Sequence, residues 1–166
     1  MSSQNAVVIV ANFNTNDQLV ISGSPVAVAE AGARAKAAGG KVIPLPVGGA
    51  FHSPLMALAA DIFVEELDKY QFSPARIPVV QNYDARPATD SSAIKEKLAK
   101  QMPNSVRWSD SIQFMLSDGV DTFVEIGPGK ALSGMVKKID RAAKTININD
   151  RASLQAALQE LSALAV

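Results

Sequence analysis

Thr122-Phe123-Val124-Glu125-Ile126-Gly127-Pro128-Gly129-Lys130 is the stretch whose reading decides the fold. Its first five residues are apolar and β-branched enough for a strand. The Gly-Pro-Gly that follows is turn chemistry. A helical pattern then runs to about Lys138, and Thr145–Ile148 reads as a last strand. A strand, a glycine turn, a helix and a second strand define an α/β unit with a parallel sheet.

Working back toward the N-terminus, Trp108–Ser117 has helical spacing, and a helix capped by Ser91 or Ser92 runs to about Gln101. Pro78–Gln81 reads as a short buried strand and 82–90 as loop. Leu58, Ile62 and Leu67 recur at helical spacing between Leu55 and about Tyr70. Ala6–Phe13 and Leu19–Ile21 flank Asn14-Thr15-Asn16-Asp17, which predicts a β-hairpin. Ser24-Pro25 starts a helix and Gly39-Gly40 stops it. Lys41–Val47 is expected to be an edge strand, with Pro44 and Pro46 on it. Leu154–Leu164 closes the chain as an amphipathic helix. The first 46 residues read as ββαβ, so a boundary is expected near Val47. After it come only about three short strands, a thin sheet.

Composition removes several classes of function. Of 166 residues, 48% are hydrophobic and 19% charged, the balance of a globular chain. Sixteen basic residues offset sixteen acidic ones, so binding to nucleic acid or an anionic membrane by net charge is not expected. The absence of cysteine excludes disulfides, zinc-thiolate sites and a cysteine nucleophile, and suits a reducing compartment. No apolar run reaches the roughly 18 residues of a membrane span. Met1-Ser2-Ser3-Gln4-Asn5 lacks a signal-peptide pattern.

His52 is the single histidine, set between a Gly-Gly loop and a helix start. Histidine suits general-base work near neutral pH; a lone histidine with no role is the competing reading. The G-x-S-x-G turn that would present a serine nucleophile is absent. One histidine without cysteine leaves only carboxylates for a metal, so none is expected. Gly127-Pro128-Gly129-Lys130 invites a phosphate, but the P-loop spacing is missing, and a strand-to-helix turn is the favoured reading. Asn12 and Asn14 on their own are turn formers, and Trp108 and the phenylalanines are expected in the core.

Four segments together carry a resemblance. Asn12-Phe13-Asn14 with Gln18-Leu19-Val20-Ile21-Ser22-Gly23 is similar to an N-x-N…Q-x-V-I-S-G run. Gly49-Ala50-Phe51-His52-Ser53 with Leu55-Met56 resembles G-A-F-H-S-x-L-M. Gln101, Asn104 and Val106-Arg107-Trp108 resemble Q-L-x-N-P-V-x-W. Glu125–Lys130 with Leu132 and Gly134 resembles E-V-G-P-G-K-x-L-x-G. Their order and spacing, from about Ala6 to Ile148, resemble the C-terminal half of malonyl-CoA:acyl-carrier-protein transacylases and related acyltransferase domains.

The resemblance implies a fold and a chemistry. Residues 1–46 would be the second half of a ferredoxin-like small subdomain. Residues 47–166 would be the C-terminal part of a large, α/β-hydrolase-like parallel-sheet subdomain. A serine on a G-H-S-x-G turn attacks the malonyl-CoA thioester, and His52 takes its proton. The thiol of acyl carrier protein then receives the malonyl group, in cytoplasmic fatty acid biosynthesis. No cofactor is implied beyond malonyl-CoA as substrate. The backbone carbonyl of Gln101 would orient the His52 ring. Asn12 and Asn14 would line the cleft. Phe51 would crowd a methylmalonyl group, a partial preference only.

The family is roughly twice this length. Its N-terminal half holds the serine, a G-Q-G-S-Q loop, an oxyanion-hole amide and the arginine that clamps malonate. That half is therefore an implied partner, and this chain alone is expected to be inactive and marginally stable, with an apolar face exposed around Val124. Ser105 stands where proline is usual, and Asn16-Asp17 where Pro-Gly is common. Two other readings follow: a non-catalytic fragment that binds CoA or acyl carrier protein, and a piece of the acyltransferase domain of a polyketide or fatty-acid megasynthase.

Overall fold

The structure, a computed structural model, describes residues 6–164. The first five residues, with the leader reading made of them, lie outside the described residues. The fold is mixed α/β, with three two-stranded sheets among the described residues, and the chain separates into two compact units, one ending at Ser111 and one starting at Ile112.

In the first unit β1 (Val8–Thr15) and β2 (Gln18–Gly23) form the expected antiparallel hairpin. Its two-residue turn, Asn16-Asp17, is fixed by the Thr15 hydroxyl, which donates to the Asp17 carboxylate at 2.5 Å. Register shifts between Val10 and Asn12, and again between Phe13 and Thr15, bend β1 and interrupt its alternation. Gly23 ends β2 where a Cβ would lie 1.9 Å from the Val7 carbonyl oxygen, so no other residue fits there. Helix α1 (Pro25–Ala37) begins with proline in its first turn. The Ser24 hydroxyl does not cap it but donates to the Val7 carbonyl at 3.4 Å.

Lys41–Val47 forms no strand, contrary to expectation, and the Val47 N–H turns back to the Leu45 carbonyl at 2.8 Å. Its apolar side chains Val42, Ile43, Leu45 and Val47 are all exposed. A strand exists through its partner's hydrogen bonds, and here neither face nor edge meets one. After a 3-10 turn at Pro54–Met56, α2 (Ala57–Leu67) buries only Ala60 and Leu67. The expected buried strand is β3 (Val79–Gln81), an exposed-to-half-buried ribbon. Its partner β4 (Arg86–Ala88) lies in the stretch read as loop. Pro87 disguised it: proline lacks an N–H but is tolerated at a sheet edge. Helix α3 (Ser91–Gln101) is capped by Asp90, not by Ser91 or Ser92; its carboxylate accepts from the Ala93 N–H at 2.8 Å.

Helix α4 (Trp108–Ser117) carries the division between the units. In the second unit β5 (Thr122–Ile126) and β6 (Lys144–Ile148) pair in parallel in register, joined by α5 (Ala131–Ile139). Helix α6 (Arg151–Leu164) packs on β6. Val124 and Ile126 are exposed on β5. The buried apolar residues are mostly small: Ala11, Ala27, Ala60, Ala85, Ala143 and Ala157 join Ile112, Leu67, Val136 and Ile146. The aromatic core does not form: Phe13 and Phe51 are exposed and Trp108 is half-buried.

Candidate active site

The His52 segment is a tight turn in which a histidine takes the left-handed conformation, φ +58°. That region is disfavoured for L-residues, and histidine is among the few side-chain types enriched there. Three contacts fix the turn. The His52 backbone N–H donates to the Met102 carbonyl at 3.1 Å. The Ser53 hydroxyl donates to the Ala50 carbonyl at 2.6 Å. The Leu55 N–H donates back to the same hydroxyl at 3.3 Å, opening the Pro54–Met56 turn.

The half-buried His52 ring places Nδ1 3.3 Å from the Gln101 carbonyl oxygen. A carbonyl can only accept, so this contact selects the tautomer with hydrogen on Nδ1. Nε2 is left with its lone pair, the form a proton acceptor needs. Phe51 precedes it, 49% exposed. Its ring is so close to Gly49 that a Cβ there would meet it at 3.1 Å.

Gln101 ends α3, and the chain then folds back on itself. The Gln101 side-chain amide donates to the carbonyls of Asn104 (3.0 Å) and Ser105 (3.2 Å). The Asn104 amide donates to the Lys100 carbonyl at 2.7 Å. The next residues bind β1. The Ser105 hydroxyl donates to the Val10 carbonyl at 2.7 Å, a bond the proline usual in the resemblance could not make. The Val106 N–H donates to Ala11 (2.8 Å) and its carbonyl accepts from Phe13 (2.9 Å). Asn12 therefore lies beside Val106 in a parallel bridge. The segment 101–106 links His52 to the strand that carries Asn12 and Asn14. Among the described residues no hydrogen bond joins either asparagine side chain to His52.

The Gly127–Lys130 turn has glycine at φ +142° and +85°, at Gly127 and Gly129. Lys130 at the α5 N-cap position supplies no side-chain cap. The Glu125 carboxylate does so instead, accepting from the N–H groups of Leu132 (3.1 Å) and Ser133 (2.8 Å). Those are the donors a phosphate would use, so the helix start is already occupied by the chain's own anion. Asn147 Nδ2 donates to Glu125 at 3.0 Å and to the Ser133 hydroxyl at 2.8 Å. Hydrogen bonds from Ser133, Leu132 and Asn147 hold the Glu125 carboxyl below the usual glutamate range, the Ser133 side chain contributing most. Sequence reasoning quoted Glu125 without a role; its signal was an acid at the end of a strand, one Gly-rich turn before a helix with no cap of its own. Among the described residues no three acidic or histidine side chains gather as a metal site would need.

A parallel strand pair and an oriented histidine do not fix a class of protein by themselves; comparison with known proteins supplies it. The acyl transferase domain family matches residues 1–156, and the chain belongs to that family. The chain is 43% identical to the malonyl CoA-acyl carrier protein transacylase of Bacillus subtilis over 97% of its own length and 51% of that protein's. It superposes on the corresponding transacylase of Clostridium perfringens with a TM-score of 0.91 at 37% identity, covering 98% of this chain and 52% of the other. A third structure, a type II polyketide synthase acyl-carrier protein in complex with its malonyl-transacylase, gives a TM-score of 0.88 at 39% identity, over 93% and 50% of the chains. The chain spans about half the length of the curated relatives it matches. Among the described residues no helix is long and apolar enough to cross a membrane.

Proposed function

We propose that this chain is the histidine-bearing C-terminal half of a malonyl-CoA:acyl-carrier-protein transacylase, with His52 as the general base. The observation that carries the reading is the His52 Nδ1 contact with the Gln101 carbonyl, which leaves Nε2 free to accept a proton. In the complete enzyme a serine hydroxyl from the other half attacks the thioester carbonyl of malonyl-CoA, and its proton passes to His52 Nε2. Collapse of the tetrahedral adduct expels the CoA thiolate, which takes up that proton. The phosphopantetheine thiol of acyl carrier protein then gives its proton to His52 and attacks the acyl-serine; collapse of this second adduct breaks the bond to the serine oxygen, which takes the proton back from His52, and leaves the malonyl thioester on the carrier. Relatives named as malonyl transacylases support the donor, and the complex of one with its acyl-carrier protein supports the acceptor.

Residues 1–46 are the second half of a ferredoxin-like subdomain in this reading, and 47–166 the C-terminal part of the large subdomain. That boundary is one of ancestry and differs in kind from the division at Ser111. Phe51, Asn12 and Asn14 face the acyl group and its carrier. The absent serine is the reason the chain is inactive by itself. The test is reconstitution: this chain is refolded with an N-terminal half carrying G-H-S-x-G, and malonyl transfer to acyl carrier protein is followed by mass. Transfer with both halves, none with either alone, and transfer slowed by about 10²–10⁴-fold with His52→Ala is expected. Activity in the His52→Ala pair equal to the unsubstituted pair would overturn the assignment.

A further inference from the structure

His52 holds its ring against Gln101 from a backbone conformation that L-residues avoid. Something must over-determine that conformation for it to persist. The neighbouring Ser53 is fully buried, with 0% of its surface exposed. A serine hydroxyl in such a place needs partners, and it has both: it donates to Ala50 at 2.6 Å and accepts from Leu55 at 3.3 Å. The bridge across the Ala50–Ser53 turn is thus made by a side chain. The His52 backbone N–H is meanwhile committed outward to Met102. The same hydroxyl also starts the 3-10 turn, where the Met56 N–H reaches the Ser53 carbonyl at 2.9 Å. One oxygen therefore fixes the backbone on both sides of the histidine.

We propose that Ser53 is a positioning residue: its buried hydroxyl locks the left-handed turn at His52 and so sets the ring tautomer through the Gln101 carbonyl. Its catalytic meaning rests on His52 being the base. The hydroxyl does not touch substrate, and it is not the missing nucleophile, since it is enclosed and its proton is committed to Ala50.

The test reads the tautomer directly. This chain carries a single histidine, so one set of imidazole nitrogens appears in a ¹⁵N spectrum with only this chain labelled, alone or bound to its other half. At a pH well above the histidine range, the unsubstituted chain should show the Nδ1–H tautomer and a coupling across the hydrogen bond to the Gln101 carbonyl carbon. Ser53→Ala should lose both while its amide spectrum stays dispersed, and Ser53→Thr, which keeps the hydroxyl, should restore them. An unchanged tautomer in folded Ser53→Ala overturns the inference; so does a loss that Ser53→Thr fails to recover, which would assign the effect to packing. If Ser53→Ala does not fold, Ser53→Cys carries the same comparison, because sulfur fills the space but donates weakly. In the reconstituted enzyme Ser53→Ala should lower kcat by up to about 100-fold with KM little changed. The tautomer is read without substrate, so failure of malonyl transfer and failure of this inference are separate results.

Discussion

Nδ1 of His52 and the carbonyl oxygen of Gln101 meet at 3.3 Å across 49 residues of sequence. The orienting group is a neutral backbone dipole where serine proteases use a carboxylate. It fixes the ring but stabilises imidazolium less than a charge would. It is also independent of the side chain at 101, which acts by tying its own turn together.

Two substitutions separate these roles in the reconstituted enzyme. His52→Ala should lower kcat by about 10²–10⁴-fold, the usual worth of general acid–base catalysis. Gln101→Ala keeps the carbonyl and loses the amide's bonds to Asn104 and Ser105, so kcat should fall by only about tenfold, equivalent to one or two hydrogen bonds. Steady-state transfer assays decide between them.

Phe51 predicts a partial selectivity. Replacing its ring with a smaller side chain, Phe51→Ser, should improve use of methylmalonyl-CoA relative to malonyl-CoA by about 10- to 200-fold, the range one methyl commands in a pocket. Competition between the two thioesters in one reaction, read by product mass, measures it. No change in the ratio would show that selectivity is set elsewhere.

Glu125 links pH to stability. Its folded-state pKa is depressed by the hydrogen bonds from Ser133, Leu132 and Asn147. The contribution is therefore full above the ordinary glutamate value of about 4.3, and is lost as pH falls through the lower folded value. Glu125→Gln should lower the unfolding free energy measured in urea at neutral pH by about 1 kcal/mol, as for loss of a helix cap. It should also flatten the fall in stability below pH 4. An identical acid slope in the variant would assign that slope to other carboxylates.

The apolar surface predicts behaviour of the chain without its other half. Leu58 is 81% exposed and Ile62 68% on α2, and Ile126 is 78% exposed on β5. Such a chain should bind a hydrophobic dye and self-associate. Leu58→Glu with Ile62→Lys should reduce both while changing stability by no more than about 0.5 kcal/mol per site, as neither side chain is in the core. In the reconstituted enzyme the same pair should weaken association of the halves, measured by gel filtration. Dye binding unaltered by the pair would place the responsive surface off α2.

Elements whose signals are local were legible in the sequence. Trp108–Ser117 and Thr122–Ile126 form with the expected bounds, and Thr145–Ile148 gains only Lys144. The hairpin followed from Asn14-Thr15-Asn16-Asp17, although only Asn16-Asp17 turns, Asn14 and Thr15 belonging to β1. Lys41–Val47 was misread because periodicity reports what a segment is able to bury, whereas pairing requires a second strand. Arg86–Ala88 was missed for the opposite reason: Pro87 and the flanking aspartates spell a turn, yet a three-residue ribbon against Val79–Gln81 tolerates them. At the site, motif spacing drew attention to His52 and Gln101. The cap by Glu125 and the enclosure of Ser53 were invisible, since both depend on where a carboxylate or hydroxyl ends up in space.

The bond from Ser105 to Val10 spans 95 residues, against 22 for Asn147 to Glu125. Loop-closure entropy grows with the logarithm of length, so the longer junction costs about 1.3 kcal/mol more to close. The β1–β2 hairpin and the β5–α5–β6 unit can each form from neighbouring sequence as it is synthesised. The hairpin bearing Asn12 cannot join the 101–106 segment until Val106 has been made, so the parts that frame His52 come together late, after the local elements that supply them.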